Sequence, residues 1–454
     1  MSRTPLMISV AGIRGIVGDS MTAAVALRWA EAFGSLCKPG AVVIGGDSRV
    51  SKTMMRAASI AGVAGAGAHV IDVGVVSTPT IQLAVEHYKA AGGIAITASH
   101  NPAEWNALKF FNKDGLFLDE AEGLALRKLV ESDEALAVDA FHVGKYERDD
   151  EAVARHIERV LKIPFLNLPE IKKYKFRAGI DAVNGAGGEL AVQLLEALGC
   201  EVVGFNLEPT GLFPRSPEPL PENLVEVCQA MKRESVDVGF VVDPDADRLA
   251  VIRNDGKPAG EELTLAAAAQ ITLKYQKGAI VANCSSTRAL DDIAVAFDVP
   301  IYRTKVGEAH VSRKIIEAGA VIGGEGNGGV MLPSVHAARD SAVGMALILQ
   351  ALAEHGGRSA DYFDSLPKYF MVKRRCEFSD LKTLRTVLDS IEAVAPFGAA
   401  DRLDGLKWTR KDSWVQVRAS NTEPIIRIFA EARTEAEANS LVEDILRLID
   451  QQVK

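Results

Sequence analysis

The sequence has few cysteines, no long apolar run and no surplus of positive charge, and each shortage removes a class of protein. Its five cysteines (Cys37, Cys200, Cys228, Cys284, Cys376) lie far apart, with no CxxC and no Cys/His cluster. An odd, scattered set argues against a disulfide framework or a zinc site and reads as buried thiols in a reducing compartment. No apolar run approaches the ~20 residues of a membrane span. The opening MSRTPLMISVAGIRG shows neither the apolar core nor the small-residue cleavage pattern of a secretory signal. A soluble, cytoplasmic protein without membrane contact is expected. Lys and Arg total 51 against 60 Asp and Glu, a net charge of −9. That balance argues against nucleic-acid partners, while leaving room for a local basic pocket. There is no GxSxG elbow. The NGAGG stretch around Gly187 fits GxGxxG poorly and reads as a tight strand-to-helix turn.

What is present is length and repetition. At roughly 100–200 residues per domain, a chain of 454 residues implies about three or four domains. Three times a short apolar run opens into a polar turn and a helix-like stretch: AVVIGGDSR (41–49), RAGIDAVNGAGG (177–188) and GAIVANCSSTR (278–288). A second apolar run follows each time, in AHVIDVG (68–74), CEVVGFN (200–206) and VPIYRTKVG (299–307). A third then ends in a distinctive loop: GGIAITASHNP (92–102), VDVGFVVDPDADR (236–248) and AGAVIGGEGNGG (318–329). Near-continuous Val/Ile/Ala runs alternating with helical intervals are the pattern of α/β layers buried on both faces. Three related α/β domains are expected over 1–148, 149–254 and 255–366. A smaller α+β domain over 367–454 carries the strands FMVKRRCEF, WVQVRAS and PIIRIFAEA. It ends in an amphipathic helix from Thr434 to about Asp450, with Leu441, Val442, Ile445, Leu446 and Ile449 on one face.

Open α/β sheets bind ligands beyond the carboxyl ends of their strands, so the third-strand loops are the places for chemistry. In the first, Ser99 sits between a buried strand and an Asn-Pro turn, with Lys109 ten residues on. It is either a nucleophile or phosphoryl carrier, or a serine that bonds a turn amide. In the second, Asp243, Asp245 and Asp247 alternate and are followed by Arg248. Three carboxylates without His or Cys suit Mg²⁺, and the EF-hand positions for Gly and Glu hold Arg248 and Asn254 instead. In the third, glycines surround Glu325 and Asn327, a pair able to meet vicinal sugar hydroxyls. A fourth loop, with Arg418, Ser420, Asn421 and Thr422 followed by Arg427, makes a phosphate cradle.

With these four loops in this order, the chain resembles the phosphohexomutase superfamily along its whole length. The resemblance implies three related α/β domains with mixed sheets and a smaller C-terminal α+β domain around a central cleft. It implies that Ser99 in TASHNP is the phosphorylated residue. Asp243, Asp245 and Asp247 would bind Mg²⁺ with that phosphate. Arg14 in AGIRG, Lys109 and Arg248 would assist transfer, and His100 would act as acid or base or position the loop. Glu325, Asn327 and Lys305 would meet the sugar. Arg418, Ser420, Asn421, Thr422 and Arg427 would hold the phosphate that is not transferred. The implied reaction interconverts hexose 6- and 1-phosphates through a hexose 1,6-bisphosphate, which also activates the enzyme, in a monomer or homodimer. VGE (306–308) and GEGNGG (324–329) look most like archaeal-type phosphoglucosamine mutases, with Glu308 a candidate partner for an ammonium group. Ser9-Val10-Ala11 departs from the bacterial glucosamine enzymes. Glucosamine phosphate is the expected substrate. The alternatives are mixed phosphomannomutase/phosphoglucomutase specificity and, more distantly, a metal-dependent sugar phosphatase.

Overall fold

The computed structural model describes residues 5–132, 134–378, 381–395, 397–419 and 425–453. The first unit runs β1 (Met7–Ser9), β2 (Gly12–Ile16), α1 (Ala23–Cys37), β3 (Ala41–Gly46), α2 (Lys52–Gly65), β4 (His69–Val75), α3 (Thr78–Tyr88), β5 (Gly92–Ile96), β6 (Trp105–Phe111), α4 (Glu120–Glu131) and β7 (Tyr146–Arg148). The second runs α5 (Ala152–Leu161), α6 (Leu168–Tyr174), β8 (Arg177–Asp181), α7 (Gly188–Ala197), β9 (Glu201–Phe205), α8 (Val225–Arg233), β10 (Val238–Val242) and β11 (Leu249–Arg253). The third runs α9 (Glu261–Tyr275), β12 (Ile280–Asn283), α10 (Ala289–Phe297), β13 (Ile301–Thr304), α11 (Glu308–Ala318), β14 (Ile322–Glu325), β15 (Gly329–Met331), α12 (Ser341–His355) and α13 (Ser359–Ser365).

The repeat is visible in the strand order. The sheets read β6-β5-β3-β4, β11-β10-β8-β9 and β15-β14-β12-β13, the first widened by β2 and β1 at one edge and β7 at the other. In every unit the first strand lies between its second and third, parallel to both, and the third turns back into an antiparallel fourth. The loop between third and fourth strands is therefore the same topological place three times over. The NGAGG turn after β8 supports one of these loops from behind: Ala186 N–H donates to Pro244 O at 2.8 Å. A Cβ on Gly185 would stand 2.7 Å from Pro244 Cα, so only glycine permits that approach.

One apolar core spans all three units. Its spine is α12, buried from Ser341 to Ala353 and packed against α5, α6, α7 and α9, which explains why that segment is apolar on every face. The fourth unit has a separate core. It is built from β16 (Phe370–Glu377), α14 (Leu381–Val394), β17 (Leu406–Thr409), β18 (Trp414–Ala419), β19 (Ile425–Ala432) and α15 (Glu435–Val453). Its sheet is antiparallel in the order β16-β19-β18-β17. The expected strands and final helix are present, and α14 and the short strand β17 are additions. Polar contacts join this unit to the third: Lys373 bonds Glu262 at 3.1 Å, Ser285 bonds Gln416 at 2.6 Å and Val306 N–H bonds Asp404 at 3.0 Å. Among the described residues, no helix is long and apolar enough to cross a membrane.

Candidate active site

The three third-strand loops and the fourth unit face one cavity of about 690 Å³. Arg14, Ser99, His100, Lys109, Arg248, Glu325, Asn327, Arg418 and Arg427 line it. The hairpin β1–β2 brings in Arg14, whose strand pairs with β6 so that Arg14 lies opposite Ala107, two residues from Lys109. Lys305 is exposed and not part of the lining, which resumes at Val306. Ser420, Asn421 and Thr422 lie outside the described residues.

Ser99 is 7% exposed and held at φ 49°, a left-handed conformation that costs a non-glycine residue about 1–2 kcal/mol. Its backbone N–H donates to Thr97 Oγ1 at 2.9 Å. Its hydroxyl donates to Asp243 Oδ2 at 3.0 Å and lies 3.3 Å from His100 Nδ1. The serine therefore points into the acidic loop of the next unit, 144 residues away, not back to its own turn. Burial, and next the charge of Arg248, push the His100 imidazole well below its ordinary pKa, so it is neutral at neutral pH.

Asp243, Asp245 and Asp247 are completely buried, with one carboxylate oxygen of each within 4.8 Å of the others. Burial, then Asp247 and Asp245, drive the Asp243 carboxyl well above the usual range. Burial also works against charge on Asp245, but the Lys109 ammonium at 2.7 Å and a 2.8 Å bond from Thr78 hold its pKa below the usual range. Thr78 begins α3, so two units of the molecule meet at this carboxylate. Burial opposes the Lys109 charge as well, yet Asp245 and Asp247 raise its pKa and keep it an ammonium. Asp245 Oδ1 and Asp247 Oδ1 are buried without a hydrogen-bond partner. Buried carboxylate oxygens left so are costly, and an all-oxygen set of this kind fits a hard divalent cation.

The sugar-loop candidates are more committed than their sequence suggests. Glu325 is 2% exposed; its Oε1 accepts from Asn283 at 2.9 Å and Gly307 N–H at 2.8 Å, and its Oε2 from Arg339 at 2.9 Å. Burial raises its pKa, but Arg339 and these bonds outweigh that and lower it. Arg339 also donates to Glu308 Oε2 at 3.0 Å and Asp247 Oδ2 at 2.6 Å. Glu308 takes a further bond from Gln82 at 3.3 Å, so both its oxygens already accept from protein groups although it lines the cavity. Asn327 accepts from Gly329 N–H at 3.2 Å. Behind this loop stands Glu262, its pKa raised to about 7, chiefly by burial and against the pull of Lys373. A Cβ on Gly326 would meet its carboxylate at 2.0 Å. On the far wall Arg418 and Arg427 are cross-strand neighbours, and Asp404 pairs with Arg418 at 2.8 Å. Two guanidinium-bearing positions directly opposite repel unless an anion is shared between them.

Arg49, Arg339 and Glu262 were absent from the sequence-based candidates. Arg49 and Arg339 are single arginines in DSR and ARD triplets, and the contacts that give them a role, to Ser99 O and to Asp247, lie 50 and 92 residues away.

Family models agree with this arrangement. The chain matches phosphoglucomutase/phosphomannomutase alpha/beta/alpha domain I over residues 7–137, domain II over 154–256, domain III over 259–370 and the C-terminal domain over 373–448. It is 36% identical to a "Phosphoglucomutase/phosphomannomutase" of Thermococcus kodakarensis, covering 98% of each chain. It is 34% identical to a "Probable phosphoglucosamine mutase" of Methanopyrus kandleri, covering 96% of each. A crystal structure of a phosphoglucomutase/phosphomannomutase family protein from Burkholderia thailandensis superimposes with a TM-score of 0.84 at 29% identity, covering 98% of each chain. Four domain types in unbroken order, and relatives matched almost end to end, show that the chain belongs to the phosphoglucomutase/phosphomannomutase family and is a phosphohexomutase, an isomerase.

Proposed function

We propose that Ser99 carries the phosphoryl group and that glucosamine 6-phosphate and glucosamine 1-phosphate are the preferred pair. The observation that carries the first part is the Ser99 hydroxyl, 3.0 Å from Asp243 in a buried triad of carboxylates with Lys109 alongside. In the reaction a free sugar hydroxyl attacks the phosphorus on Ser99. The serine Oγ–P bond breaks as the sugar O–P bond forms, leaving a hexose 1,6-bisphosphate. After the bisphosphate turns round, Ser99 takes back the other phosphoryl group, and no phosphate is lost. Asp243, Asp245 and Asp247, with the Ser99 oxygen, are the residues to hold Mg²⁺, which would supply charge neutralisation on the transferring phosphoryl oxygens. Lys109, Arg14 and Arg248 add fixed positive charge at that end. Arg418 and Arg427, with Ser420, Asn421 and Thr422 between them in the sequence, would hold the second phosphate. The five free cysteines suit a cytoplasmic enzyme.

The glucosamine preference rests on the VGE and GEGNGG segments and on the M. kandleri relative. Mixed glucose and mannose specificity is the second reading, favoured by the engagement of Glu308 with Arg339 and by the T. kodakarensis relative. A panel of glucosamine 6-phosphate, glucose 1-phosphate and mannose 1-phosphate, with a trace of glucose 1,6-bisphosphate, separates them. The expected result is a kcat/KM for glucosamine phosphate about tenfold or more above the others, the scale of one net hydrogen bond to a charged group. Equal values would establish the mixed reading. Inorganic phosphate released without isomer would overturn the mutase mechanism.

A further inference from the structure

Arg49 is completely buried, and every N–H of its guanidinium is in use. Nε donates to Asp47 Oδ2 at 3.1 Å. Nη1 donates to the carbonyls of Pro102 and, at 3.0 Å, Trp105. Nη2 donates to those of Ser99 at 2.7 Å and Asn101 at 2.6 Å. Three of the five bonds thus go to the backbone of the Ser99 loop, a fourth to Trp105 where the loop enters β6, and the fifth to the group that balances the charge. Asp47 accepts in turn from Thr97 Oγ1 at 2.6 Å, and the same Thr97 oxygen accepts the Ser99 N–H at 2.9 Å. The second unit closes the far side: the Phe213 ring lies 5.1 Å from the Arg49 guanidinium carbon, and Ser48 Oγ donates to Asn184 O at 2.6 Å.

A buried ion pair is a weak source of stability, since well-packed apolar side chains in its place are often neutral or better. What an apolar side chain cannot do is hold four carbonyls in a fixed pattern. We propose that Arg49 is a positioning residue for phosphoryl transfer, fixing the loop that keeps Ser99 left-handed with its hydroxyl on the acidic triad. The inference rests on Ser99 as the phosphoryl carrier. Arg49 is not part of the cavity lining and bonds the Ser99 loop only through its backbone carbonyls, so its removal should slow the chemistry and spare substrate affinity.

Arg49→Lys keeps the charge and the Asp47 pair but loses the fork. Its phosphorylation on Ser99 by glucose 1,6-bisphosphate, followed by intact mass, and its kcat should fall about 100-fold, the usual consequence of a misplacement near 1 Å. Glucose 6-phosphate should bind within about threefold of wild type by calorimetry with an undiminished number of sites per chain, whereas loss of folded protein would lower kcat and the number of sites together. Should that variant fold poorly, Thr97→Val keeps Arg49 and removes one hydroxyl. Its kcat should fall about tenfold, with Thr97→Ser restoring it. Wild-type kcat in Arg49→Lys or in Thr97→Val would overturn the inference, as would losses of kcat and binding in equal measure. If wild-type protein acquires phosphate on Ser99 while Arg49→Lys does so at the wild-type rate, only the role of Arg49 fails. If Ser99→Ala still turns over, the reading of Ser99 fails and takes the inference with it.

Discussion

Replacing Ser99 with alanine is expected to lower kcat by on the order of 10⁴-fold or more, the scale on which removal of a nucleophile abolishes covalent catalysis. At about 1.36 kcal/mol per tenfold, that is roughly 5 kcal/mol of barrier. The loss should be confined to turnover. Alanine removes only the Oγ, and the 99–105 backbone keeps its four bonds from Arg49 and the N–H bond to Thr97. The groups proposed to meet the sugar and the distal phosphate, Glu325, Arg418 and Arg427, line the cavity from other units of the molecule. Calorimetric titration with glucose 6-phosphate should therefore give a Kd within a few-fold of wild type. Intact mass after incubation with glucose 1,6-bisphosphate should show no added phosphate. A variant retaining a tenth or more of wild-type kcat, with a melting temperature unchanged, would show that the phosphoryl group travels by another residue.

The parts of this site that were readable in the chain are those written locally. The acidic loop declares itself because Asp243, Asp245 and Asp247 stand at alternating positions, and the three sheets because each third strand ends in a loop of distinctive composition. Lys109 was readable as a charge near Ser99, although its actual partner is Asp245, reached only through the packing of the first unit on the second. The rest depended on contacts that no spacing encodes. Arg49 acts on carbonyls 50–56 residues away, and backbone acceptors leave no trace in side-chain identity. Arg339 reaches back 92 residues to Asp247. Glu308 and Glu325 read as polar groups wholly available to a ligand, because sequence shows that a carboxylate is present and not that protein groups already bond both of its oxygens. In the fourth unit, β17 escaped notice because an edge strand of four residues needs only one neighbour and carries no long alternating run.

Arg339→Met should produce the largest stability loss of any single change in the cleft, and its pH dependence identifies the cause. Arg339 is 7% exposed and its charge is divided among Asp247, Glu308 and Glu325. Removing it leaves three buried carboxylates without that counter-charge, and breaking a buried pair in this way costs about 3–5 kcal/mol. At neutral pH the melting temperature of the transition that unfolds the three-unit core should drop by roughly 5 °C. Burial already raises the Glu308 pKa despite Arg339, and Glu325 is low chiefly because Arg339 overcomes its burial. Without the arginine both glutamates would titrate above their unfolded values. A carboxyl raised in the folded state binds its proton more tightly there, so its destabilisation is full above the folded pKa and fades as pH falls toward the unfolded value of about 4.3. The difference in melting temperature between wild type and Arg339→Met should accordingly be greatest near pH 8 and shrink by pH 5, as scanning calorimetry would record. A pH-independent difference would mean that lost packing, not stranded charge, is responsible. Arg339→Lys restores one charge but cannot reach three carboxylates at once. It should recover part of the stability while kcat/KM stays depressed about tenfold or more, because the Asp243–Asp247 loop and the Glu325 loop are no longer tied to one rigid group.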